Sequence, residues 1–266
     1  MTPDLWIGLI TLAILFALEG VIPFYTARQG RLRHGLRNLT LAGLNGLVGA
    51  AMAPILLYSD YLTGSQGWGL CPQLGGGLAC AIGALVVFDL WMYAWHRANH
   101  EIPLLWRLHR VHHTDPSMDS TTAVRFHPGE LVLSTLFNAA VLTALGMTLE
   151  LFVVYKSVML LVIVFHHSNV RVPARLDRAL RVAIVPPSMH RVHHSEIPAE
   201  TNSNYGTVLS VWDRVFGSFR LRADLAQVRF GIGAFAGPAW QGPVALLLLP
   251  LRRADRRHPP NRAAGA

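Results

Sequence analysis

The apolar runs of this chain, and the arginines between them, leave little freedom in how it can be threaded. Residues 4–26 are apolar but for Asp4 at the edge and Glu19 inside, and their length suits a helix that crosses a bilayer. Residues 38–58 form a second run, rich in Gly and Ala, a composition that lets helices pack closely in lipid. A third run covers about 77–95. Apolar sequence returns at 130–147 and 149–165, broken at Gly146, and reads either as two spans or as a hairpin dipping into the bilayer. A last stretch, 231–251, is interrupted by Pro238 and Pro243 and is expected to lie on the membrane surface. The arginines fall in four segments: four in 28–37, four in 96–130, nine in 168–230 and five in the tail 252–266. None lies before the first run or in the loop 59–76. Cytoplasmic segments carry the excess of Arg and Lys. With five crossings and the N-terminus outside, every basic segment falls on that side. The single lysine, Lys156, sits inside an apolar run and has to snorkel or find a partner.

Composition agrees with a membrane protein. Hydrophobic residues make up 52% of the 266 and charged residues 14%, where soluble domains carry about 25% charged. The net charge of +8 therefore suits a membrane surface and not nucleic acid. Two cysteines, Cys71 and Cys80, without a CxxC pair, exclude a disulfide framework and a zinc finger. A single bridge between them is possible but not indicated, and two unpaired thiols are the expectation. The first apolar run lacks a charged n-region and a small-residue cleavage site, so it is read as a retained helix. The basic tail is expected to be disordered.

The histidines carry the chemistry. His96 and His100 are four apart in DLWMYAWHRANH. HRVHH occurs at 109–113 and again, letter for letter, at 190–194. Spacings of three and four put side chains on one helix face, so each group is expected to present its nitrogens to a common point. Neutral imidazole is a strong ligand for first-row transition metals. One ion rarely takes more than six ligands, so His96, His100, His109, His112, His113, His190, His193 and His194 imply two ions. A further ligand is expected from His166 and His167 in FHHSN. His127, in RFHPGE, is read equally as a ligand or as a residue that stands behind the ligands or fixes the loop. His34 and His258 are read as surface residues. Asp89 and Tyr93 share the helical stripe of His96 and His100. They are expected to stand behind the metal-bound imidazoles, where a carboxylate fixes the ring tautomer; the alternative for Asp89 is a buried pair with an arginine. Thiolate ligands are absent, which disfavours copper(I) storage and structural zinc.

In these motifs the sequence resembles the fatty acid hydroxylase and sterol desaturase superfamily of integral-membrane di-iron enzymes. The matching segments are DLWMYAWHRANH, LHRVHHTDPSMDSTTAVRFHP, FHHSNV, PPSMHRVHHS and NYGTVLSVWDRVFGSF, over about residues 85–220. The resemblance implies metal roles for the eight histidines above, and for His167 in preference to His166. It implies that Asn204, Tyr205, Gly206, Trp212, Asp213 and Gly217 close over the site. It also implies two iron ions, O2 as co-substrate, and electrons from a separate cytochrome b5-like or ferredoxin-like donor.

The expectation is thus an all-α, multi-pass membrane protein with four to five transmembrane helices and a cytoplasmic helical cap holding a dimetal site. Residues 1–76 form the first spans and a basic loop, 77–230 the catalytic domain, and 231–266 an apolar segment and tail. The expected activity is hydroxylation of a lipid C–H bond at a bacterial inner membrane. A desaturase would use the same site. Metal transport is disfavoured, because transport sites lie near the bilayer midplane and these histidines lie past the helix ends. A metal-dependent hydrolase is the weaker alternative.

Overall fold

The structure, a computed structural model, describes residues 3–26 and 30–253. The tail from residue 254 on, with His258, and Arg28 lie outside them. The chain is helical throughout, with β pairing among the described residues limited to three isolated bridges. Helices α1 (Pro3–Val21), α2 (Arg31–Asp60), α4 (Leu78–Glu101), α6 (Pro128–Leu145) and α7 (Leu149–His167) are each long and apolar enough to cross a membrane. Between and after them come the short helices α3 (Leu70–Gln73), α5 (Pro103–His113), α8 (Ala174–Leu180), α9 (Pro187–His193), α10 (Pro198–Thr201), α11 (Val211–Val215) and α12 (Pro243–Leu248). Proline at the first turn opens α5, α6, α9, α10 and α12, where its missing N–H costs no hydrogen bond.

The stretch 130–165 resolves into two helices. Gly146, at φ 70°, ends α6 in the left-handed conformation. Thr148 then caps α7 through its side chain. Helix α2 begins at Arg31, so most of the expected basic loop is helical. The helices pack α1 on α7 and α2 on α6, with their large apolar outer side chains, Ile10, Ile14 and Leu47 among them, exposed where lipid would lie.

The two ends of the bundle differ in chemistry. At one end Lys156 pairs with Asp4 at 3.2 Å, and Asp60 accepts the N–H of Leu149 at 2.7 Å. Cys71 and Cys80 are joined there in a disulfide, which corrects the expectation of free thiols. The cause is local: Gly75, Gly76 and Gly77 all take positive φ. That backbone, open to glycine at little cost, turns the start of α4 back onto α3. At the opposite end Glu19, 1% exposed, gathers the chain. It accepts from the backbone N–H of Ser120 and of Asn169, each at 2.8 Å, and from Arg31 at 3.1 Å.

The segment 231–251 forms short turns and α12, with no crossing helix. Ile232, Phe235, Leu246 and Leu249 pack against Leu41, Trp106 and Val111. Buried Arg110 ties this strap down by donating to the carbonyls of Leu249 (2.6 Å) and Arg252 (2.7 Å).

Candidate metal centre

All nine histidines expected as ligands converge at the Glu19 end of the bundle, in two groups. His96 and His100 of α4, His109 and His113 of α5, and His193 of α9 form a group of five. His112 of α5, His167 of α7, and His190 and His194 at the end of α9 form a group of four. Within each group the nearest ligand atoms all lie within 4.8 Å of one another. Each HRVHH repeat is divided between the groups, contrary to the expectation of one common point per repeat. A helix advances about 100° per residue, so the residue at i+3 lies about 60° to one side of i while i+4 lies about 40° to the other. His109 and His113 stay together and His112 turns away; His190 and His194 stay together and His193 turns away.

The donor atoms suit a metal ion. His96, His167 and His193 place Nδ1 against the backbone carbonyls of Tyr205 (2.9 Å), Ile163 (2.6 Å) and Ser203 (2.7 Å). A carbonyl only accepts, so the ring proton sits on Nδ1 and Nε2 carries a lone pair. In the group of four, His167 Nε2 lies 3.0 Å from His112 Nε2 and 2.9 Å from His190 Nε2, and His194 Nε2 lies 3.1 Å from His190 Nε2. Metal–nitrogen bonds of about 2.0–2.1 Å bring neighbouring ligand nitrogens to about 3.0–3.4 Å. The Nε2 atoms of His100 and His193, both buried, have no protein partner. Burial, reinforced by neighbouring imidazoles, holds His112, His113, His190 and His194 well below the ordinary histidine range. Burial lowers His193 to about 3. These five rings are therefore neutral and ready to ligate.

Asp89 and Tyr93 do not contact an imidazole in the way expected of them. Asp89 accepts from Tyr155 Oη (2.7 Å), Trp212 Nε1 (2.8 Å) and the N–H of Leu209 (3.2 Å), with no arginine among these partners. Tyr93 shares a hydrogen bond with Ser218 (2.8 Å) and stacks on Phe216. Both join α4 to the segment 205–218. The side chain behind an imidazole is instead Glu130, whose Oε1 lies 2.8 Å from His109 Nδ1. Asn202 Oδ1 lies 3.3 Å from His100 Nδ1. The available signal for Glu130 was a lone acid in the first turn of an apolar helix. His127 fixes its loop: Nδ1 accepts from the N–H of Gly129 and Nε2 meets the Leu247 carbonyl. His166 is buried, stacks on His190 at 3.7 Å, and belongs to neither group.

His34 is not the surface residue expected. Its two nitrogens lie 2.8 Å from Asp115 and 2.9 Å from Asp119, and Asn38 and Arg125 extend the network. Burial alone would raise the Asp115 carboxyl. His34 and Arg125 outweigh it and hold the group well below the usual carboxylate range.

Residues 81–218 match the family model described as fatty acid hydroxylase. The chain belongs to the fatty acid hydroxylase family. It is accordingly an oxidoreductase, and both histidine groups lie within the matched segment. An ornithine lipid hydroxylase of Rhizobium tropici is 27% identical over 95% of this chain and 78% of its own length. The alkylglycerol monooxygenase of Danio rerio is 31% identical over 53% of this chain and 30% of its own. The cholesterol 25-hydroxylase of Rattus norvegicus is 29% identical over 56% of this chain and 49% of its own. The match thus covers less than half the length of these last two relatives. No solved structure matches the chain significantly.

Proposed function

We propose that this family member is an O2-dependent membrane lipid hydroxylase holding two iron ions, one in each histidine group. The observation that carries the reading is the pair of buried, all-imidazole groups at the ends of α4 and α7, two helices able to cross a bilayer. In this reading His96, His100, His109, His113 and His193 hold one ion, and His112, His167, His190 and His194 the other. Such a centre supplies O2 activation strong enough to remove hydrogen from an unactivated C–H bond. The balance is one C–H bond, one O2, two electrons and two protons in; one C–OH and one water out. Here the chain's own residues orient and exclude. Backbone carbonyls at Nδ1 keep Nε2 free, and burial keeps bulk water away. Asp89 and Tyr93 serve by holding the segment 205–218 against α4.

The relatives named above act on lipids, and a lipid substrate fits this chain's place in the bilayer. An apolar groove of about 460 Å³ beside α4, walled by Trp91, Trp95, Ile102, Leu133 and Phe137, offers an acyl chain a path out of it. In this reading, which the arginine distribution supports, the site faces the cytoplasm at a bacterial inner membrane, and a separate ferredoxin-like or cytochrome b5-like protein supplies electrons.

The test uses the full chain in detergent. Purified protein is expected to carry about two iron ions. With 18O2, a reductant and lipid extract from the native membrane, mass spectrometry is expected to find a lipid heavier by one labelled oxygen. A desaturated product without label would replace hydroxylation by desaturation. Turnover that ignores O2 would end the reading.

A further inference from the structure

The two histidine groups are not equally held. In the group of five, four rings have Nδ1 anchored: His96 by Tyr205, His100 by Asn202, His109 by Glu130 and His193 by Ser203. In the group of four only His167 is anchored, by Ile163. The Nδ1 atoms of His112, His190 and His194 have no protein partner. An imidazole fixed through its second nitrogen has its tautomer and ring angle set before a metal arrives.

One of these anchors is charged. Glu130 is the third residue of α6, where an acid would ordinarily reach back to the cap or face the helix dipole. Here the cap belongs to His127, and the Glu130 side chain turns inward, 7% exposed, onto His109. Among the described residues it is the only carboxylate within hydrogen-bonding distance of either histidine group. The packing of α4 on α6 aims it. Trp91 donates to Asn138 and, one turn on, Trp95 donates to Ser134, each at 2.8 Å. Continued by one turn, that register runs to position 99 of α4 and position 130 of α6. Both residues are buried there, and Asn99 Oδ1 and Glu130 Oε2 lack partners.

We propose that Glu130 is a positioning residue that makes the two metal sites unequal: by fixing His109 and lending it negative charge, it makes the group of five the tighter site. This rests on the reading that both groups bind metal. The experiment takes the full chain in detergent, stripped by a chelator, and titrates it with cobalt(II) against a chromophoric competitor. The ligand-field spectrum of cobalt reports each site without turnover. Wild type is expected to bind two ions in two phases. Glu130→Gln keeps an oxygen against His109 Nδ1 and removes only the charge. It is expected to weaken the tighter phase about 10–100-fold and leave the other unchanged. Glu130→Leu, which removes the acceptor as well, is expected to weaken the same phase further. A metal-free thermal transition within a few degrees of wild type shows that each variant folds. Two unequal phases in wild type that Glu130→Gln leaves unchanged would overturn the proposal and spare the metal reading. So would equal weakening of both phases. No cobalt bound by wild type would overturn both.

Discussion

His112 and His193 hold the same place in the two HRVHH repeats, and each leaves its own repeat to join the other group. Sequence spacing picked out all nine histidines that the fold gathers into the two groups. It could not assign them to groups, because a pentad on one turn offers its nitrogens over about 100° of arc and only the crossing of α5 and α9 decides which partner each meets. His112→Ala and His193→Ala should therefore each lose about one ion per chain by elemental analysis, and not the same one. Loss of both ions in either variant would mean a single shared centre. Asp89 was misplaced for a related reason. Its stripe on α4 is real, but its partners Tyr155 and Trp212 lie 66 and 123 residues away, and no local spacing reports them. Asp89→Leu leaves a phenol, an indole N–H and a backbone N–H without an acceptor. It should cost at least ~2 kcal/mol, read as a lower midpoint in denaturant, while the folded fraction keeps its metal. The buried imidazoles predict an acid limit. His193 takes up a proton near pH 3 in the fold but at about 6.5 once unfolded. The unfolded chain therefore binds more protons throughout that window, and stability falls as pH falls. His112, His113, His190 and His194 add to the same slope. The metal-free protein should lose thermal stability progressively from about pH 6.5 downward, and a flat profile to pH 4 would contradict the burial that the structure assigns to these rings.

At the scale of elements, the apolar runs located the helices well and their ends poorly. Run length reports where lipid-compatible side chains lie, but caps set the ends. Gly146 and Thr148 separate α6 from α7, and α2 extends back to Arg31 because arginine is itself a good helix former. The disulfide was illegible because it depends on three consecutive glycines in positive φ, a backbone property that composition does not record. Its place carries topological information. Cys71 lies in α3 and Cys80 in the first turn of α4, at the end of the bundle away from the histidines. Disulfides persist in oxidising compartments, so this end should face the periplasm if the histidines face the cytoplasm. In intact cells, a membrane-impermeant maleimide should label the protein only after mild external reduction. Labelling without reduction would mean free thiols. No labelling after reduction, with labelling in lysed cells, would invert the topology. Cys71→Ser should lower stability by about 2–3 kcal/mol, the loop-closure value for a separation of nine residues, without changing metal content.

Across the whole molecule, the end that holds the histidines is also the basic one. The segment after α7 carries Arg171, Arg175 and Arg178, all exposed, and Arg214, Arg220 and Arg229 are exposed on the same cap. Arg110, Arg125 and Arg191 are buried and hold the cap together, so they contribute little to a docking face. What remains is a positive surface around a centre that, in the proposed activity, needs two electrons from another protein. Charge of one sign steers a partner of the other, and salt screens the steering as the Debye length shrinks from about 10 Å at 0.1 M to about 3 Å at 1 M. Turnover supported by an acidic ferredoxin-like donor should therefore fall several-fold between low salt and ~0.5 M NaCl. Turnover supported by a small chemical reductant should not. Reversing Arg171, Arg175 and Arg178 to Glu together should reproduce the salt effect at low ionic strength, with metal content and reductant-driven turnover unchanged. If donor-driven turnover is indifferent both to salt and to this charge reversal, the electrons enter elsewhere, and the positive cap serves the anionic lipid surface alone.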